Sequence, residues 1–307
     1  MNKKIIRSIR QDEVEQFDHD GVILLKEMFD SEWISSLSQG LDKNIELPSA
    51  RSRVWDRDEN GRTMFYDAQA WQQINEYQNF IFNSPAAAIA GKLMKSSQIN
   101  FYFDAVFVRS PGSQFATPWH QDEPYWSVEG YNTCTIWMPL VPVKRENALS
   151  FVPGSHRFDS TFYQFNFGSL NPDEINDVDE TNFEGITDLE FPDIAADPEK
   201  YGVVSWDMNP GDCIAFNSRI MHGGSGKLDE NTELRVFTSK WIGDDVFIKF
   251  RECGMDPDHS EVMIKQGLKP GDRPGTELYP DINFSDVCSS NGSGKCLTNY
   301  EKTYETQ

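Results

Sequence analysis

The strongest constraint on this chain lies in residues 99–245, where short aromatic and β-branched stretches recur between turns rich in Pro and Gly. Asn100–Arg109 (NFYFDAVFVR) is the longest, and residues 133–143, 148–152, 201–206, 212–216 and 233–241 share its character. Alternating polarity marks each as a strand with one buried face. The breaks between them are Ser110-Pro111-Gly112, Pro153-Gly154-Ser155 and Asn209-Pro210-Gly211-Asp212, which carry the residue types that tight turns need. A series of short strands joined this way predicts a sandwich, a jelly roll or a barrel.

The first 98 residues read differently. Residues 22–28 (VILLKEM) form a short apolar strand after a glycine. Asp30 and Ser31 then offer a helix cap ahead of Trp33, Ile34, Leu37 and Leu41, which fall at helical spacing. Ser84-Pro85 is a second helix start. The expected organisation is one domain over 1–285: a mostly helical flank at 1–98, a β core at 99–245 and an insertion at 157–200. A loose tail at 286–307 follows. The stretch 173–199 holds eleven acidic residues and no Lys or Arg. It reads as a solvated loop or as a mobile cover over a pocket.

Charge narrows the partners. With 28 Lys+Arg against 49 Asp+Glu, the formal charge is −21, which repels nucleic-acid phosphates and anionic membranes. No apolar run reaches the length of a membrane span, and the N-terminus lacks a secretory apolar region. Five cysteines without a CxxC pair predict reduced thiols and a cytoplasmic protein, a monomer or a homodimer, acting on a small molecule.

The chemistry concentrates in few residues. There are five histidines. His120 and Asp122 stand two apart in Pro118-Trp119-His120-Gln121-Asp122, so an extended backbone turns both side chains to one face. About a hundred residues later, His222 precedes Gly223-Gly224 after another strand. Two imidazoles and one carboxylate occupy one face of an octahedral Fe(II) and leave the other positions open. H-x-D alone is a weak signal, since most such tripeptides arise by chance. Arg235, thirteen residues past His222 on an alternating strand, either pairs with a structural acid or holds an anionic cosubstrate.

The order HQD (120–122), ENALSFVPGSH (146–156), PGD (210–212), MHGG (221–224) and Arg235 resembles the phytanoyl-CoA dioxygenase family. The block PWHQDEPYW (118–126) resembles its bacterial branch. The likeness spans roughly residues 17–245. It implies a mainly β fold with flanking helices around a double-stranded β-helix, a cupin-like jelly roll. It also implies a dioxygenase that uses Fe(II), 2-oxoglutarate and O2, releasing succinate and CO2. In that reading His120, Asp122 and His222 are the catalytic metal ligands. Arg235 binds the distal carboxylate of 2-oxoglutarate, and Trp137 lines the cosubstrate pocket. Asp122 implies a hydroxylase or desaturase, because related halogenases lack the carboxylate. One departure is visible: several members carry a hydroxyl two places after the second histidine, where this chain has Gly224 and only then Ser225.

The substrate is read less directly. Tyr125 and Trp126 follow the H-x-D and are expected at the mouth of the site or in ordinary packing. Arg53, with Arg51, Arg57 and Arg62, either contacts an anionic or zwitterionic metabolite or pairs with nearby Asp56, Asp58 and Glu59. The expected reaction is hydroxylation of an aliphatic C–H of a small polar metabolite. Desaturation or cyclisation on the same scaffold, or a silent cupin-like binding protein, are the alternatives. His156 is expected to stabilise a turn. His19 and His259 lack ligand partners at useful spacing.

Overall fold

The computed structural model describes residues 1–55, 61, 63–113, 116–159, 161–162, 192–251 and 255–283. Most of the acidic insertion, Arg57 and Arg62, and the expected tail lie outside the described residues.

Seven antiparallel strands form the main sheet. They are β1 (Val22–Leu25), β2 (Arg53–Trp55), β3 (Met64–Ala68), β4 (Asn100–Arg109), β7 (Thr133–Pro139), β9 (Cys213–Phe216) and β11 (Leu234–Ile242). Their order is β1-β9-β7-β11-β4-β3-β2. A second sheet contains only β5 (Thr117–His120), β10 (His222–Gly224) and β8 (Ser150–Phe151), ordered β5-β10-β8. A small third one pairs β12 (Phe247–Ile248) with β6 (Val128–Glu129).

The strand pattern between residues 99 and 245 holds, with one difference. Residues 201–206 form no strand; Val204 makes only an isolated bridge to Phe151. The N-terminal third is also less purely helical than expected, since β1, β2 and β3 extend the main sheet. Its helices are α1 (Gln11–Asp20), α2 (Ser31–Glu46), α3 (Asn75–Asn83) and α4 (Ala86–Met94), with α5 (Ser260–Lys265) near the other end. Asp30 caps α2 by accepting from the Trp33 N–H at 3.0 Å.

Alternation along the strands divides the core into layers. Phe101, Val106, Val108, Phe237 and Trp241 join the apolar residues of the helices. The opposite faces of β7, β9 and β11 contribute Trp137, Ile214, Phe216, Leu234 and Val236, which pack with Phe151 of the small sheet. The second layer is therefore the jelly-roll interior, and the first is the contact of the main sheet with the helices. Side chains of β11 take opposite destinations at each step: Leu234 and Val236 go inward, Phe237 and Trp241 outward.

Two motifs from the sequence are structural. Asp212 of the PGD turn is 3% exposed. It accepts from the backbone N–H of Glu27 at 3.0 Å and of Asn209 at 2.9 Å, and from Lys26 Nζ at 2.9 Å. His156 packs on the end of α1, its Nε2 3.3 Å from the Asp18 carbonyl, rather than bonding within its own turn. Gly21 there has φ 74°, and a Cβ at that position would come within 2.4 Å of His156 Nδ1.

Candidate metal and cosubstrate site

The strands of the small sheet bring the three candidate ligands together. His120 pairs directly with His222 across β5 and β10, and their rings are 4.1 Å apart. Asp122 follows β5 by two residues. Its N–H and that of Glu123 both donate to the Ser218 carbonyl, at 2.8 and 3.0 Å. Gln121 steadies the same segment: its side-chain amide donates to the Arg219 carbonyl at 2.6 Å and accepts from the Phe162 N–H at 2.7 Å. One ligand atom each from His120, Asp122 and His222 lies within 4.8 Å of the others, and no other group of this kind occurs among the described residues.

Hydrogen bonding sets the tautomers. His120 Nδ1 lies 2.8 Å from the Pro118 carbonyl, and His222 Nδ1 lies 3.0 Å from the Ile220 carbonyl. A carbonyl only accepts, so each Nδ1 carries the proton and each Nε2 presents a lone pair. Those Nε2 atoms sit 3.4 and 3.6 Å from the same Asp122 oxygen. Two lone pairs and a carboxylate aimed at one point repel one another unless a cation sits among them. The donor set therefore fits a divalent metal of intermediate softness, bound on one face. The protonation states agree. Burial, with His120 nearby, lowers His222 to about 4. Burial alone would raise Asp122; with the neighbouring imidazoles protonated it is held at about 2, so the acid stays ionised while they titrate.

An apolar wall closes one side. Phe216 lies 4.9 Å from the His222 ring, and Phe151 stacks on it at 5.8 Å. Trp137 is buried in that same cluster, on the interior face of β7.

Arg235 is elsewhere. It occupies an outward position on β11 and pairs with Asp42 of α2 and, at 3.4 Å, with Glu233. The expectation that it reaches into the cavity fails on strand parity: Leu234 and Val236 hold the inward positions on either side of it. Trp126 takes the second of its two readings, ordinary packing. It is 2% exposed and sealed against Tyr102 and Phe103, at ring distances of 4.9 and 5.9 Å, so it is core rather than mouth. Tyr125 is half-buried beside that core. Arg53 pairs with Asp256 at 3.3 Å; Asp56, Asp58 and Glu59 lie outside the described residues. Ser225 Oγ donates to the Glu146 carbonyl at 3.0 Å, at the surface.

Three interior residues carried no sequence signal. Lys240 is 6% exposed. Its ammonium donates to Thr238 Oγ1 and sits 4.7 Å from the Phe103 ring. Burial lowers it to about 8, against the pull of Asp122, Asp104 and Asp256. Asp104 accepts from the N–H groups of Ala70 and Trp71, both at 3.2 Å, and burial raises it to about 7. Arg109 is 6% exposed, with burial as the cause that lowers it to about 10. An inward charged residue at the end of a strand looks the same in sequence as an outward one until the pairing is known.

A jelly roll with two imidazoles on adjacent strands and a carboxylate just beyond one of them presents the two-histidine, one-carboxylate set of non-haem metal oxygenases. The family comparison specifies which: residues 17–228 match the phytanoyl-CoA dioxygenase (PhyH) family, and the chain belongs to that family of non-haem iron, 2-oxoglutarate-dependent dioxygenases. Among solved structures it is similar to the non-haem α-ketoglutarate-dependent carbocyclase SnoK from nogalamycin biosynthesis. Identity is 18% and the TM-score 0.67, over 92% of this chain and 100% of that one. It is also similar to EctD from S. alaskensis, solved with 2-oxoglutarate and 5-hydroxyectoine, at 16% identity and TM-score 0.62, over 89% of this chain and 90% of that one. The epimerase SnoN, solved with Fe3+ and α-ketoglutarate, matches at 18% identity and TM-score 0.61, over 88% of this chain and 97% of that one. No curated protein matches the sequence significantly.

Proposed function

We propose that this enzyme hydroxylates an aliphatic C–H of a small anionic or zwitterionic metabolite, with His120, Asp122 and His222 as the iron ligands. The observation that carries the reading is the convergence of the three donor atoms within 4.8 Å, with both histidine tautomers set to point Nε2 inward. Bound Fe(II) with 2-oxoglutarate and O2 supplies the oxidation itself. The chain's own residues hold and orient. The Pro118 and Ile220 carbonyls fix the imidazoles, and the Ser218 carbonyl fixes the Asp122 backbone. Phe151, Phe216 and Trp137 keep water from the His222 side.

The substrate class is supported by the charges near Asp122. Lys240 offers a buried ammonium, while Asp256 and its partner Arg53 add a carboxylate and a guanidinium close enough to influence the Tyr66 hydroxyl. A buried ammonium together with a half-exposed pair of opposite charges suits a ligand with charges of both signs and disfavours a bare hydrocarbon.

Mixing the protein anaerobically with Fe(II) and 2-oxoglutarate is expected to give a weak visible charge-transfer band that His120→Ala abolishes. A well-folded wild-type protein without that band would refute the ligand assignment. Succinate release against pooled zwitterionic metabolites, followed by product mass, then tests the substrate class. A gain of one oxygen supports hydroxylation, and a loss of two hydrogens would replace it with desaturation or cyclisation.

A further inference from the structure

The misplacement of Arg235 raises the question of which residue answers the far end of a diacid. Arg109 closes β4, and its register partner on β11 is Leu234. Paired residues on adjacent strands share a face, and Leu234 faces the jelly-roll interior. Arg109 therefore points inward from the strand next to the one expected to supply the guanidinium. Its Nη2 donates to Thr117 Oγ1 at 2.5 Å, while its buried Nε has no hydrogen-bond partner. No carboxylate pairs with it among the described residues.

Thr117 connects this guanidinium to the ligand strand. In the pairing of β5 with β10, Thr117 stands opposite Gly224 and His120 opposite His222, with a bulge between. Three steps on β5 thus match two on β10, so Thr117 and His120 face the same side despite their odd spacing. Three residues of strand cover roughly 10 Å, which suits a five-carbon keto diacid chelated at one end and salt-bridged at the other.

We propose that Arg109, rather than Arg235, receives the distal carboxylate of 2-oxoglutarate, with Thr117 holding the guanidinium in place. The proposal rests on the oxygenase reading above. The carboxylate would satisfy Nε as well as the charge, giving the two-pronged contact that a guanidinium makes best.

Calorimetry on Mn(II)-loaded protein separates the possibilities without turnover. Two ligands are compared: 2-oxoglutarate, and 2-oxopentanoate, which keeps the keto-acid head and lacks the distal carboxylate. Wild type should prefer 2-oxoglutarate strongly. Arg109→Gln should weaken 2-oxoglutarate by about 30-fold or more, leave 2-oxopentanoate within about twofold, and keep Mn(II) affinity unchanged. A merely structural role would weaken both ligands alike, which would overturn the proposal. Arg235→Gln should bind as wild type; collapse of its preference would return the anchor to that residue. Should Arg109→Gln fail to fold, Thr117→Val and Arg109→Lys take its place. Each should lose part of the preference for 2-oxoglutarate, and full retention in both would refute the assignment. Wild-type protein that bound neither Mn(II) nor keto acid would sink the oxygenase reading instead.

Discussion

At the scale of single residues, position within a strand decides role. The meeting of His120 and Asp122 was legible from their spacing, whereas His222, a lone histidine before Gly-Gly and ordinary by itself, joined them only through the order of the motifs. Arg235 misled because an alternating strand has two faces and the sequence does not say which one a charge takes. Its observed pair with Asp42 is partly exposed, at 18% and 62%, and such pairs contribute less than about 1 kcal/mol. Arg235→Gln is accordingly expected to shift the unfolding midpoint in urea only slightly. Lys240 and Arg109 were invisible for the complementary reason: each is a cation on an interior face, which sequence patterning treats as an exposed position.

At the scale of elements, the turn residues carry more stability than their exposure in sequence suggests. The PGD signature was noticed as a motif, yet its effect is to tie the end of β1 to the start of β9. Asp212 does this with three accepted hydrogen bonds from beneath the surface. Asp212→Ala strands two backbone donors and should cost about 2–4 kcal/mol, read as a lower thermal midpoint with the visible band of the loaded enzyme retained. Gly21→Ala should also destabilise. The left-handed backbone and the His156 ring both resist a Cβ, and His156→Ala in the same chain should recover part of the loss by opening space. Strand assignments for β4 and β11 matched the expectation closely, because ten- and nine-residue alternating runs leave little freedom. Residues 201–206 failed as a strand because only Val204 finds a partner there.

At the scale of the whole molecule, charge and buried titratable groups set the response to solution conditions. A net charge of −21 means self-repulsion in the folded state, so adding salt at neutral pH should raise the thermal midpoint. His259, unremarkable in sequence, is fully buried between the Tyr279 hydroxyl at 2.9 Å and the Gln69 side chain. Burial and Arg51 lower it to about 3. The unfolded chain takes a proton there near pH 6.5 and the folded chain does not, so stability falls as pH drops from about 6.5 toward 3, by ~1.4 kcal/mol per pH unit. Asp104, raised to about 7, acts in the opposite sense between about pH 4 and 7. These two contributions oppose each other in that window, and the His259 contribution is isolated by comparison with His259→Gln. The stability gap between the two proteins should narrow on acidification; a constant gap would contradict the assignment.

The small sheet has a consequence of its own. Its strands are four, three and two residues long, so few ladder bonds hold the candidate ligands while a seven-stranded sheet backs them. Amides along that clasp should exchange with deuterium well before those of β4 and β11, and loading with metal should slow them selectively, without tightening the larger sheet.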